Sequence, residues 1–426
     1  MKVLLSAYCC SPASGSEQAV GWHWARCIAN LGHQVVVLTR AINRNDIHAA
    51  CPNDSNSNPR FVFHDLPPLV QRLYKLPLGN YVYYLLWQYT AARKAVRLHQ
   101  LERFDRVHHL TWVSFRFPSF MGRLGIPFTL GPVAGGEDTP KHLRRGLGWR
   151  GRLWDSMRRL TNVLFSLTPQ FRSTFAAATE ICATTPETLR TIPPRYRHKG
   201  RVQQAVGISP EDANLPPLPK QLSLALHRPR PALNLLFVGR LLPWKGLHLA
   251  LHALAKLPSH SSDIHLTLVG SGYDCPRLVR LAARLGVTHS ISWISWTPRD
   301  KLLRMYSEHD LFLFPSLHDS GGLAVLEAMT FGLPVLCLDL GGPALSVDDT
   351  CGHVIATSGR SEDDLAQAIA SFLLRARQNP HLLPQLSEGA RLRASSLTWQ
   401  ARVRAVYPHV LPSQSSPKNL QYESVL

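Results

Sequence analysis

The sequence predicts an α/β protein of two units, each built on a parallel sheet. Three observations carry that reading. Short apolar runs alternate with helical patterns in both halves, which means strands joined by helices rather than by hairpins. A proline-rich stretch, from Leu215 through Pro219 to Pro229 and Pro231, divides the halves and reads as a linker. A length of 426 residues, 45% hydrophobic and 18% charged, supports two large cores and excludes a disordered chain.

Lys2–Ala7 is an apolar strand, and Cys9–Ser16 is a loop of small residues. Val20–Asn30 has a helical pattern, and His33–Thr39 is a buried strand. Together they make a βαβ unit whose first loop, carrying Gly15, Ser16 and Glu17, lies at the C-terminal end of a parallel strand. Residues 52–59 form an Asn/Ser/Pro loop, and Leu66–Leu101 is aromatic-rich and helical. Short strands follow around Arg106–Leu110 and Pro127–Leu130.

Beyond the linker the alternation is clearer. Strands are expected at Leu233–Val238, Ile264–Val269, Ser290–Ile294, Leu311–Phe314 and Pro334–Leu338. Helices are expected at Leu247–Lys256, Pro276–Leu285, Asp300–His309 and Leu323–Phe331. The domain reading is 1–212, a linker at 213–231, and 232–395. A helix at 396–411 returns to the first domain, and the polar tail 412–426 is disordered.

Composition excludes several classes. No apolar run reaches the roughly 18 residues of a membrane span. The apolar part of Met1–Tyr8 is too short for a signal peptide, so a cytoplasmic protein is expected. The eight cysteines are scattered without zinc spacing, and reduced thiols with no metal are expected. A net charge of +19 calls for nucleic acid, an anionic membrane or an acidic substrate, unless it is basic background spread along the chain. Nucleic acid finds no zinc spacing, aromatic RNA motif or recognition helix to support it.

The most informative segment runs from Ser316 to Val335. It places Asp319 in a loop, then Gly321 and Gly322, then an apolar helix carrying Glu327. A helix that starts on glycines offers free N–H groups and its positive dipole end to a phosphate or a sugar oxygen. Asp319 and Glu327, eight residues apart, sit roughly two helical turns apart and suit different parts of one long ligand. A nucleotide sugar has that shape. Arg240 ends a strand and Lys245 opens the next helix, a pair of cations suited to a diphosphate. The competing reading is two solvated surface charges.

Phe237–Gly246, Leu268–Gly272 and Asp319–Glu327 resemble the C-terminal half of the family-4 retaining glycosyltransferases. Ala7–Glu17 and Gly21–Trp24 resemble the donor-side loop of the same enzymes, and Phe128–Glu137 resembles a segment of one bacterial branch. The likeness covers nearly the whole chain and is weakest at 40–100 and across the linker. It implies the GT-B fold, two Rossmann-like domains facing across a cleft, and transfer of a sugar with retention from a UDP- or GDP-linked donor to a glycan or lipid-linked acceptor.

Residue by residue, the resemblance implies that Arg240 and Lys245 hold the diphosphate and that Glu327 holds the ribose diol. Asp319 and the amides of Gly321, Gly322 and Leu323 hold the donor sugar. Gly15 and Ser16 approach the diphosphate from the other domain, and His109 meets the sugar near its reacting face. Taken without the family, His108 and His109 read equally as strand-end packing. The family's usual Glu is here Asp319, one methylene shorter, which bears on donor-sugar identity. No Asp-x-Asp is present to hold a metal, and no cofactor is expected. A non-catalytic relative or a sugar-nucleotide epimerase is the alternative; the epimerase would need an acid/base pair near the sugar's second carbon, and the sequence offers none.

Glu17 reads as a loop residue and Glu187 as a cap, neither as a base. Trp22 and Trp24 read as core or cleft wall. Residues 141–165 mix Arg with Trp, Leu and Phe, which suits peripheral attachment to the inner face of an anionic membrane. The plain alternative is a helix packed on its own domain. Glycines at 146, 148 and 151 speak against one continuous helix.

Overall fold

A computed structural model of the protein describes residues 1–13, 15, 17–51, 58–209, 232–258 and 263–407. The linker at 213–231 and the tail at 412–426 lie outside the described residues, as does Ser16.

The first sheet has seven strands: β1 (Lys2–Ala7), β2 (Gln34–Thr39), β3 (Arg60–Phe63), β4 (Arg106–Thr111), β5 (Phe128–Val133), β6 (Glu180–Ala183) and β7 (Gly200–Val202). Their order is β3-β2-β1-β4-β5-β6-β7, with every pairing parallel. The second sheet has six: β8 (Leu233–Val238), β9 (Ile264–Val269), β10 (Ile291–Ile294), β11 (Leu311–Phe314), β12 (Val335–Leu338) and β13 (Gly352–Ile355). It is parallel throughout, in the order β10-β9-β8-β11-β12-β13. The expected fold class is therefore the observed one.

In each sheet the strand order reverses beside the first strand, β1 or β8. The crevice at the C-terminal ends of such strands is where open α/β sheets bind ligands. β8 and β11 are almost wholly apolar because helices cover both faces of the sheet, so the strands read as continuous hydrophobic runs.

The expected helix over Leu66–Leu101 is broken. A short helix at Pro68–Gln71 and a 3₁₀ turn at Arg72–Lys75 precede the long helix Gly79–Glu102. The break falls at Leu78, whose φ of 60° lies in the left-handed region. Sequence reading also missed β3, β6, β7 and β13, and the helices Glu362–Gln378 and Leu382–Ser396.

After Leu382–Ser396 the chain crosses to the first sheet's unit. Ile208 exchanges backbone hydrogen bonds with the crossing segment, Ile208 N donating to Leu397 O at 3.1 Å and Trp399 N donating to Ile208 O at 3.1 Å. Trp399, in the helix Trp399–Arg404, stacks on His23 of the helix Glu17–Asn30 at 4.7 Å. The Tyr407 hydroxyl reaches the ring of His108 on β4 at 2.8 Å.

Candidate active site

The loop after β8 and the loop after β11 meet at one point. Lys245 sits on the 3₁₀ turn Pro243–Lys245, and Gly246 follows with φ of 68°. A Cβ at Gly246 would stand 1.9 Å from the Pro315 carbonyl oxygen, so only glycine lets the turn lie on the strand end. Gly341 fixes the other partner, since a Cβ there would stand 2.2 Å from the carbonyl oxygen of Asp319. So placed, the Lys245 ammonium donates to the Asp319 carboxylate, with both side chains less than a fifth exposed.

Two cavities open from this ion pair, and both are lined by Lys245, Asp319 and Ser320. The first, about 270 Å³, is bounded by Gly239, Gly321, Gly322 and Leu323 from the second unit and by Glu17, Val113 and Val206 from the first. The second, about 250 Å³, adds Trp244 and His318 to Trp112, Arg116, Glu137 and Arg158. Each therefore lies between the two units.

The first cavity ends at the start of the helix Leu323–Thr330. Four residues into it, Glu327 is held at both oxygens, by Arg299 Nη1 at 2.9 Å and by the Tyr306 hydroxyl at 3.0 Å. Burial and the Glu327 charge push the Tyr306 hydroxyl well above its ordinary pKa, so it stays a donor to the carboxylate. Arg240, just past the end of β8, is exposed; its carbonyl accepts from the Leu242 N–H, and its guanidinium has no ion pair or hydrogen bond among the described residues. Gly15 is exposed in the loop after β1, with open space around it.

His109 is not brought to the cleft. Alternation along β4 turns Val107 and His109 toward the helix Gly79–Glu102, while His108 faces Trp24 and Tyr407. The His109 ring is 3% exposed, with Nδ1 at 2.9 Å from the Ser119 hydroxyl and Nε2 at 3.3 Å from that of Tyr84. Burial pushes its pKa down to about 4, and the ring is a neutral packing group.

Glu17 corrects the sequence reading in the other direction. It opens the helix Glu17–Asn30, faces the first cavity, and accepts from the Val113 N–H. Burial pushes its carboxyl up to about 7, against the opposing pull of that hydrogen bond. Its signal was legible: an acidic residue at a helix start, just after the first parallel strand.

Arg116 and Arg158 make the second cavity basic, His318 lines it beside them, and the sequence reading named none of the three. Burial, then Arg158, pushes Arg116 down to about 10. Burial with Arg158, Lys245 and Arg116 holds His318 well below its usual pKa, so the ring is neutral. Arg158 pairs with Asp138 at 3.2 Å, whereas among the described residues the Arg116 guanidinium bonds to the Asn162 and Gly135 oxygens and to no carboxylate. Glu137 is taken up by Thr185 and Thr188 hydroxyls, both at 2.8 Å. Among the described residues no group of three His, Cys, Asp or Glu side chains gathers as a metal would require.

Residues 227–391 match the family model described as glycosyl transferases group 1, and residues 14–204 match that of a glycosyl transferase 4-like domain. Relatives by sequence include two D-inositol 3-phosphate glycosyltransferases. That of Frankia alni is 34% identical over 189 residues, 42% of this chain and 45% of the relative. That of Saccharomonospora viridis is 32% identical over 191 residues, 43% of each. The chain thus spans less than half the length of these relatives.

Solved structures are similar over 95% of this chain. Sucrose-phosphate synthase from Thermosynechococcus elongatus is covered over 97% of its length, at a TM-score of 0.63 and 18% identity. HepE from Anabaena, in complex with UDP and glucose, is covered over 98%, at 0.56 and 15%. With its two Rossmann-like units, a cleft between them and a family match in each half, the chain belongs to the group 1 glycosyl transferases and has the GT-B fold.

Proposed function

We propose that the protein transfers a sugar from a nucleotide-diphosphate donor to a hydroxyl of a glycan or lipid-linked acceptor, with retention at the anomeric carbon. The observation that carries this reading is the junction of the Lys245–Asp319 pair with the glycine-led start of the Leu323–Thr330 helix, in one cavity.

The donor lies along that cavity. Its nucleoside end meets Glu327, whose two oxygens are already set by Arg299 and Tyr306 and can take hydroxyl donors of a ribose. The diphosphate meets Lys245, the exposed guanidinium of Arg240 and the amides of the helix start. The sugar hydroxyls meet Asp319 and the amides of Gly321 and Gly322. Gly15, with Ser16, stands on the opposite side of the cleft.

The glycosidic carbon–oxygen bond breaks toward an oxocarbenium-like state, and negative charge grows on the departing diphosphate. Lys245, already held by Asp319, stabilises that charge without reorganising, and Arg240 swings in from the exposed loop as a second cation. The acceptor hydroxyl oxygen forms the new bond on the face being vacated, and its proton passes to the departing phosphate oxygen. The acceptor enters through the second cavity, where Arg116 and Arg158 favour an acceptor carrying an anionic group such as a phosphate.

The test is nucleotide release from a panel of UDP-, GDP- and ADP-sugars, with Glu327→Ala and Arg240→Ala as controls. Release from one donor, lost in both variants, supports the reading and names the donor. No release from any donor, with no thermal shift from any nucleotide, overturns it in favour of a non-catalytic relative.

A further inference from the structure

The helix Gly148–Ser166 is turned inside out. Its polar face points into the protein and its apolar face points away. Inward lie Gly151, Asp155, Arg158 and Asn162. Asp155 pairs with Arg144 at 3.0 Å, Arg158 with Asp138 at 3.2 Å, and the Asn162 amide donates to the Gly135 carbonyl at 3.2 Å. Gly151 lies so close to the second unit that a Cβ there would stand 2.7 Å from Pro243.

Outward lie Trp149, Leu153, Met157, Leu160, Leu164 and, one residue past the helix, Leu167, each between 51% and 66% exposed. Their spacing of three and four residues makes one continuous stripe. A water-soluble surface helix has the opposite arrangement, and an apolar patch of this length marks a surface that something covers. As expected from the glycines, 141–165 is not one continuous helix: Lys141–Leu143 and Arg145–Leu147 are 3₁₀ turns and the helix begins at Gly148, although Gly151 lies within it.

The charges beside the stripe say what covers it. Arg150 and Arg152 flank it and are exposed, Lys141 and Arg145 precede it, and the helix's one acid, Asp155, is buried on the far face. A second copy of the chain would set these cations against their own equivalents across a two-fold axis, which is repulsive. An anionic lipid surface neutralises them and takes up the apolar stripe together, with the Trp149 and Trp154 rings at the headgroup level.

We propose that this face of the Gly148–Ser166 helix docks the protein on an anionic bilayer surface, with the helix lying in the interface. No described helix is long and apolar enough to cross a membrane, so the attachment is peripheral. A run of rings continues the apolar face toward the cleft: Phe165 contacts Phe117 at 5.8 Å, Phe117 stacks on Tyr81 at 5.5 Å, and Tyr81 stacks on Trp112 at 5.6 Å. Trp112 lines the second cavity. The rings connect the docked helix with that cavity, so the acceptor that suits it is a phosphate carried on a lipid of the same surface; this extension rests on the glycosyl-transfer reading, and the docking itself does not.

The experiment is co-sedimentation of the full chain with vesicles of phosphatidylcholine alone and of equimolar phosphatidylcholine and phosphatidylglycerol, at low and high salt. Binding to the anionic vesicles only, weakened by salt, is the expected result. The double variant Leu153→Glu/Leu160→Glu should lose it, and Arg150→Glu/Arg152→Glu should weaken it at least about thirtyfold. Both variants alter exposed positions, so an unchanged melting temperature and an unchanged nucleotide-induced thermal shift separate lost docking from lost folding or lost donor binding. The proposal is overturned by no sedimentation of wild type with anionic vesicles, or by equal sedimentation of the Leu153→Glu/Leu160→Glu variant. A wild-type dimer in analytical ultracentrifugation that the same variant disperses, without vesicle binding, assigns the face to self-association instead.

Discussion

Lys245 and Asp319 form an ion pair that stands as the shared wall of two cavities, both within the cleft between the units. The pair holds a cation where a departing diphosphate would develop charge, and it fixes the carboxylate that would grip the sugar. Neither group is free to reorient alone, since each is less than a fifth exposed and bonded to the other.

Lys245→Met should therefore do two things. The loss of a fixed cation facing the leaving group lowers kcat by roughly a hundredfold or more. It also leaves Asp319 without its charged donor, at a cost of about 2 kcal/mol in stability. Asp319→Glu restores the family's usual residue and keeps the pair, so turnover should persist while the ranking of donor sugars changes. Steady-state kcat and KM across a donor panel, with thermal unfolding of each variant, check both statements.

Glu327 should act on binding rather than on the bond-breaking step. Its carboxylate is held by Arg299 and Tyr306, and it lies within the helix, away from the Lys245–Asp319 pair in the loops before it. Glu327→Ala is expected to weaken nucleotide binding about tenfold to a hundredfold. Tyr306→Phe, which frees one carboxylate oxygen without removing it, should weaken binding by less. Titration calorimetry with the free nucleoside diphosphate reads the difference, and a rise in KM larger than the fall in kcat confirms the assignment.

Glu17 gives the site a pH dependence. In the folded chain its carboxyl keeps a proton up to about 7, against an ordinary value of 4.5. Between those values the folded state binds more protons than the unfolded one, so stability falls as pH rises through the window and stays lower above it. Wild type should lose melting temperature relative to Glu17→Gln on going from about pH 5 to about pH 8. The charge that then appears lies in the proposed diphosphate cavity, so nucleotide affinity should fall several-fold over the same rise in wild type and stay flat in Glu17→Gln.

The second sheet was legible because buried parallel strands are continuous apolar runs between turn residues. Leu233–Val238, Ile264–Val269 and Leu311–Phe314 were read with their observed ends. β6, β7 and β13 were not, because they are three or four residues long and carry Glu180, Arg201 or His353 among their apolar residues. The same contrast holds in the site. Lys245, Asp319, Gly321 and Gly322 lie on two loops, each with its own local pattern. Arg116 and Arg158 reach the cleft only because β4 and a distant helix come together there, and no spacing in the sequence announces that.

His109 tests the reading of β4. Its ring nitrogens are occupied by Ser119 and Tyr84, and it lines neither cleft cavity. His109→Ala should lower stability by about 2–4 kcal/mol, through lost packing and two orphaned hydroxyls. Measured well below the lowered melting temperature, kcat should remain within about threefold of wild type, the scale of an indirect effect. A loss of a hundredfold or more in kcat with little change in melting temperature would return His109 to the reaction centre.

The C-terminal segment ties the two units together. Trp399 lies against His23, and Tyr407 is fully buried with its hydroxyl on His108, within the layer beneath β4. Tyr407→Phe removes one buried hydrogen bond and leaves His108 Nδ1 unpaired, at a cost of about 1–3 kcal/mol. Trp399→Ala leaves a cavity against the helix Glu17–Asn30 and should cost about 3–5 kcal/mol. Because Glu17 is the first residue of that helix and faces the proposed donor cavity, the Trp399 variant should also weaken nucleotide binding, whereas Tyr407→Phe should leave it unchanged. Thermal unfolding with and without nucleoside diphosphate separates the two: a ligand-induced shift that shrinks only in Trp399→Ala shows that the returning segment positions the cleft as well as stabilising the fold.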